Sequence, residues 1–260
     1  LLSKKTFNSY KFVYCSSLMK KKALVFQHIN IENLGLLERL MKNENFEIDY
    51  IKLFDNQKIP KDLSIYTLMI SLGGPMDTFM KNEYPWIDEE KESIKKFTVE
   101  LEKPFIGLCL GAQLFGEVLG GKVSKSKKSE IGFLDVSLTK ESKSDNVLEG
   151  FPKKFKVFQW HSYEVSNLNG PHIKILGSSD ATKIQIFKYK NHSYGIQFHL
   201  ELEENTISKW HSDEIYRKNL LNEFGSNSIE RIINLQKNHL KSINYLCHLL
   251  FQNFINQIKN

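Results

Sequence analysis

The chain has 260 residues, 41% of them apolar, 12% aromatic and 25% charged, with a formal net charge of +6. That is ample for one sizeable core, and no apolar run approaches the roughly 18 residues that cross a bilayer as a helix, so the composition reads as a soluble protein with no membrane partner. The lysines are spread throughout and the densest basic stretches carry no interleaved aromatics, which sets nucleic acid aside as a partner; three scattered cysteines, Cys15, Cys109 and Cys247, with no C-x-x-C pair or secretory signal, point to a reducing, cytoplasmic setting.

Residues 1–18 show no clear period and are expected to be an extension outside the fold, because Met19 opens a more typical domain start. From Lys22 the pattern alternates. "KALVFQ" reads as a buried strand, "NLGLLERLMKN" as a helix, "FEIDYIKL" as a strand. "YTLMISLGGP" is a strand ending in a Gly-Gly-Pro turn, and "WIDEEKESIKKFTVEL" has helical spacing. "PFIGLC" is a strand, and "LGAQLFGEVLGG" a helix closed by glycines. Strand–helix alternation of this kind implies βαβ units. After Gly121 the runs become short and strand-like: "IGFLDVSL", "FKVFQW", "SYEVSNL", "IKILGSS", "KIQIFKYK" and "YGIQFHLEL". They suggest a mixed or antiparallel extension of the same sheet. From about Ile207 helical spacing returns, and residues 229–258 read as one long amphipathic helix with Cys247 in its core or at an interface. The expected fold is α/β: a mixed, largely parallel central sheet with helices on both faces and a C-terminal helical tail. Residues 19–225 form the expected domain and 226–260 the tail.

Three features fall at the carboxyl ends of predicted strands, where open α/β sheets place ligands. The first is "GLCLG" around Cys109, the thiol version of a nucleophile elbow. A sharp strand-to-helix turn pushes the thiol out of the sheet, the glycines permit the crowded backbone, and the helix N-terminus favours a thiolate. The backbone N–H of Leu110 is then placed to donate to an oxyanion. The competing reading of the motif is a buried structural cysteine beside packing glycines. The second feature is "GIQFHLELEE", where His199 and Glu201 lie two apart, so on one face of a strand. His199 is the candidate base and Glu201 its orienter; the alternative is a surface histidine near acidic residues. No metal-ligand spacing is present, so neither metal nor cofactor is expected. The third is "SLGGPM", whose turn can present the Gly74 N–H as a second oxyanion donor, or be a simple turn.

Taken together, "SLGGPMD", "PFIGLCLGAQLFGEVLGGKV", "EIGF", "VFQWHSYEV" and "GIQFHLELE", in that order over about Lys22 to Glu204, resemble the class I (triad-type) glutamine amidotransferase domain, in particular its GMP synthase-like group. The resemblance implies a flavodoxin-like sheet and attack by Cys109 on the side-chain amide of glutamine. A γ-glutamyl thioester forms, with His199 as base and then acid, Glu201 as orienter, and Gly74 and Leu110 as oxyanion hole. It further implies that Gln113 contacts the substrate and that His161, Ser162 and Tyr163 hold the substrate's α-amino and carboxylate groups. On the residues alone, His161 is either substrate-proximal or a pocket-lining or core histidine. No P-loop or "SGGxDS" motif follows Glu204, so a separate acceptor protein takes the ammonia or the enzyme acts alone. The same triad also fits a γ-glutamyl peptidase, and the fold without chemistry would fit a regulatory or binding protein. The tail is expected to cover an edge, form a homodimer or dock a partner.

Overall fold

A computed structural model describes residues 21–259; the expected extension, with Cys15, lies outside the described residues. Nine strands form one sheet in the order β2-β1-β3-β4-β9-β8-β7-β5-β6. They are β1 (Lys21–Gln27), β2 (Phe46–Lys52), β3 (Leu68–Ser71), β4 (Phe105–Leu108), β5 (Lys122–Leu138), β6 (Lys154–Ser166), β7 (Ile173–Ser178), β8 (Ile186–Tyr189) and β9 (Ser193–Ile196). From β2 through β9 every pairing is parallel. From β9 to β6 every pairing is antiparallel. The change of style after Gly121 is thus the change from crossover connections to hairpin connections.

The helices are α1 (Leu36–Asn43), α2 (Trp86–Lys95), α3 (Leu110–Val118), α4 (Thr206–His211), α5 (Glu214–Phe224) and α6 (Ser228–Lys259). Alternation along the central strands divides the core in two. Ala23, Val25, Leu68, Ile70, Ile106 and Leu108 face α1 and α6, while Leu24, Phe26, Met69 and Phe105 face α2 and α3. This two-sided burial is why β1, β3 and β4 read as continuous apolar runs rather than alternating ones. Helix α6 buries Ile243, Leu246, Cys247, Leu250, Phe251, Phe254 and Ile255, so the tail covers one sheet face and Cys247 belongs to the core. Among the described residues no helix is long and apolar enough to cross a membrane.

Several element boundaries differ from the sequence reading. "FKVFQW" and "SYEVSNL" are one strand, β6, and the basic run from Lys122 is the first part of β5. Between Lys125↔Tyr163 and Glu130↔His161 the register shifts, so residues 126–129 face Ser162 alone. That bulge breaks the alternation which would have marked a strand. The predicted helix from Trp86 ends in a wider π turn, Lys96–Glu100. Strand β9 stops at Ile196, so His199 and Glu201 do not share the face of a paired strand; the chain leaves β9, bends at Phe198 and makes a single bridge from His199 to Phe158 of β6. The two side chains still meet, His199 Nδ1 lying 2.6 Å from Glu201 Oε1.

Candidate active site

Cys109 occupies the one-residue junction between β4 and α3, with φ 49° and ψ −102°. For a residue with a Cβ this is strained backbone, and it persists only where the surroundings impose it. They do so here. The Cys109 N–H is held by the Ile196 carbonyl at 2.9 Å, and the Gly111 N–H by the Leu72 carbonyl at 3.0 Å. A Cβ on Gly107 would meet the Gly111 carbonyl oxygen at 2.6 Å, and one on Gly111 would strike the backbone of Ser71. Both glycines are therefore required for the helix to start this close to the sheet. The Leu110 N–H opens the first turn of α3, where backbone donors have no intrahelical acceptor.

Cys109, Gly74, Leu110, Gln113, His161, Ser162 and Tyr163 line one cleft of about 240 Å³ at the carboxyl ends of β3 and β4. His199 and Glu201 are not part of that cleft's wall. His199 Nδ1 is 2.6 Å from Glu201 Oε1, with both side chains almost fully buried. Burial alone would lower the His199 pKa. The Glu201 carboxylate, through its charge and its hydrogen bond, together with the nearby Cys109 thiol, outweighs it and holds the ring well above its ordinary value. Trp210 sets its ring edge-on against His199, with centroids 4.7 Å apart. Trp160 and Tyr216 pack around Trp210 in turn. This aromatic roof keeps water from the imidazole.

The other predicted residues are tied into the protein. The Gln113 amide donates to the Tyr163 carbonyl at 3.1 Å and to Gln197 Oε1 at 3.2 Å. His161 Nδ1 donates to the Tyr163 carbonyl at 2.9 Å, while Nε2 lies 3.3 Å from Glu130. It lines the cleft and is bonded within the core at once. The Ser162 hydroxyl bonds to Ser129 at 2.9 Å, across the β5 bulge. The Tyr163 ring packs against Phe79 beside the cleft, with centroids 5.6 Å apart.

Sequence reasoning missed four neighbours. Gln197 Nε2 lies 3.6 Å from Cys109 Sγ. Glu32 is buried, accepts from the Tyr216 hydroxyl, and has its carboxyl pushed up to about 7, first by burial. A Cβ on Gly73 would strike Glu32 and lie 3.1 Å from His199 Cε1, which places the Gly-Gly turn between the two. Asp77 is the carboxylate of the cleft wall; burial raises its pKa and Lys125 opposes that. Gln197 shares a motif with His199 and was readable in principle. Glu32 and Tyr216 come from distant loops and helices and carry no local signal. Among the described residues no cluster of His, Cys, Asp or Glu is placed to hold a metal ion.

Comparison with known proteins places the chain in a family. Residues 31–221 match the model of the glutamine amidotransferase class-I family. The glutamine amidotransferase-like protein YfeJ of Salmonella typhimurium is 27% identical over 182 residues, 69% of this chain and 75% of its own. A glutamine-hydrolysing GMP synthase subunit of Pyrococcus abyssi is 33% identical over 119 residues, 45% of this chain and 59% of its own. A glutamine amidotransferase of Thermotoga maritima has a similar structure, with a TM-score of 0.80 and 26% identity over 93% of this chain and 100% of that one. The chain therefore belongs to the glutamine amidotransferase class-I family, whose members are cysteine-dependent enzymes that hydrolyse glutamine or transfer its ammonia.

Proposed function

We propose that residues 19–225 hydrolyse a γ-glutamyl amide, glutamine above all, through a Cys109–His199–Glu201 triad, with residues 226–260 as a helical tail. One observation carries the reading: a buried imidazole, hydrogen-bonded to a carboxylate at 2.6 Å, has for a neighbour a thiol held on a strained elbow. Cys109 passes its thiol proton to His199, Sγ adds to the γ-carbonyl carbon, and the oxygen takes the negative charge. The N–H groups of Gly74 and Leu110 stabilise it. Collapse breaks the C–N bond, His199 gives its proton to the departing nitrogen, and ammonia leaves. Water, losing a proton to His199, then adds to the γ-glutamyl thioester. The C–S bond breaks and glutamate departs.

Asp77 complements the α-ammonium group of such a substrate. Gln113, His161, Ser162 and Tyr163 line the wall around its α-carboxylate and amide. A separate acceptor protein takes the ammonia; the GMP synthase relative, itself named as one subunit of its enzyme, supports that reading. A second reading is favoured by the cleft's surroundings. Phe79 is 59% exposed beside Tyr163, and Ile215, in the cleft wall, is 47% exposed. Such an apolar rim suits an amine leaving group larger than ammonia, as in a γ-glutamyl peptidase.

The test is release of glutamate and of ammonia or amine across glutamine and a series of γ-glutamyl dipeptides. Cys109→Ala is expected to lose turnover of all of them by at least about 10⁴-fold while keeping the wild-type melting temperature within a few degrees. Turnover undiminished in that variant would rule the triad out. Asp77→Asn is expected to raise KM about tenfold or more with a smaller change in kcat, since the lost contact is made in ground and transition states alike.

A further inference from the structure

Beneath the Gly73–Gly74 turn lies a second buried polar chain that the triad does not use. His28, just past the end of β1, is fully buried, as are Glu90 of α2 and Ser71 of β3. His28 Nδ1 lies 2.9 Å from the Gly73 carbonyl oxygen. Its Nε2 lies 3.1 and 3.0 Å from the two oxygens of Glu90. The Ser71 hydroxyl donates to Glu90 at 2.7 Å. Trp86 stacks on the ring, with centroids 5.1 Å apart. Burying a charged pair repays little in stability, so a network this complete points to a use.

The use follows from peptide geometry. No peptide bond among the described residues is cis. In a planar trans peptide the C=O of one residue and the N–H of the next point in opposite directions. The Gly73 carbonyl and the Gly74 N–H belong to one such unit. Holding the carbonyl down onto His28 therefore turns the Gly74 N–H away from His28. Gly74 lines the cleft beside Cys109 and Leu110. A Gly-Gly turn is free to flip that peptide unless something holds it, and a flip would replace an oxyanion donor with a carbonyl oxygen.

We propose that His28, held by Glu90, is a positioning residue that aims the Gly74 N–H at the oxyanion formed on the substrate; the proposal rests on the triad reading above. The carbonyl of Gly73 and the carboxylate of Glu90 both accept, so the ring presents an N–H to each side. The Glu90 charge and its hydrogen bond, with smaller help from Gly73 and Glu32, outweigh burial and raise the His28 pKa in support.

The test compares two isosteres. Asn in place of His28 sets an amide N–H where Nδ1 was and keeps the Gly73 contact. Gln reaches the Nε2 position and keeps only the Glu90 contact. His28→Gln should lower kcat by roughly 10²- to 10³-fold, the effect of losing one oxyanion donor, with KM within about threefold. His28→Asn should stay within about tenfold of wild type in kcat by the same measure. Alkylation of Cys109 by iodoacetamide displaces iodide and builds no oxyanion, so its rate should be close to wild type in both variants. Alongside them, the ¹⁵N resonances of the wild-type His28 ring should show Nδ1 protonated through pH 8. The proposal is overturned if His28→Gln keeps kcat, if its kcat loss is matched by slower alkylation, or if Nδ1 carries no proton, the last result deciding even should a variant fail to fold. A wild-type enzyme inert towards every γ-glutamyl substrate would instead sink the triad reading.

Discussion

The imidazole of His199 has two carboxyls for neighbours, and they act differently. Glu201 accepts from Nδ1 and favours the charged ring. Because the folded pKa is raised, the pair adds stability in full below the ordinary pKa of 6.5, and loses it only as pH rises through the folded value. Glu201→Gln should bring the His199 pKa down, seen in a ¹⁵N titration, and lower kcat by roughly 10²- to 10⁴-fold. An unmoved titration would show that Glu201 does not orient the ring. Glu32 is the opposite case. Its folded pKa of about 7 lies above its ordinary 4.5, so the unfolded chain gives up its proton first as pH rises. Stability is therefore lost between those values and stays lost above them. Glu32→Gln should stabilise the protein by about 3 kcal/mol at pH 8 and by little at pH 4, read from denaturant melts at both pH values. An equal gain at both would place the carboxyl in a wetter site.

At the scale of elements, the β4–α3 elbow was legible because one turn imposes all its demands locally: an apolar strand, a glycine on each side of the thiol, an apolar helix. The β5–β6 hairpin was harder to read. Its bulge at residues 126–129 interrupts the alternation, and its lysines look like a solvated run. The chain beyond β9 read as strand because its sequence continues the apolar run, yet it bends at Phe198 and pairs with β6 at His199. The aromatic roof of Trp160, Trp210 and Tyr216 joins β6, α4 and α5. No single segment announces such a contact. Helix α6 was legible from its spacing alone, and its two faces make a test. Phe254 is fully buried and packs edge-on to Tyr194, whereas Tyr245 is 63% exposed. Phe254→Ala should cost about 3–5 kcal/mol in urea unfolding, and Tyr245→Ala less than about 0.5 kcal/mol. Comparable costs would mean that α6 does not cover the sheet as described.

Across the whole molecule, the parallel half of the sheet carries Cys109, the proposed nucleophile, and the Gly73–Gly74 turn, the proposed oxyanion turn, at its strand ends. The antiparallel half brings His161, Ser162 and Tyr163 to the same cleft. The chain after β9 then joins the halves through the His199–Phe158 bridge, which anchors the proposed base. The most direct measurement is to quench the reaction with glutamine in acid and map the protein by mass spectrometry. The triad predicts one γ-glutamyl group, labile to hydroxylamine, on the peptide that carries Cys109. It should be absent from Cys109→Ala. A γ-glutamyl adduct on any other residue, or steady turnover with Cys109 never modified, would contradict it.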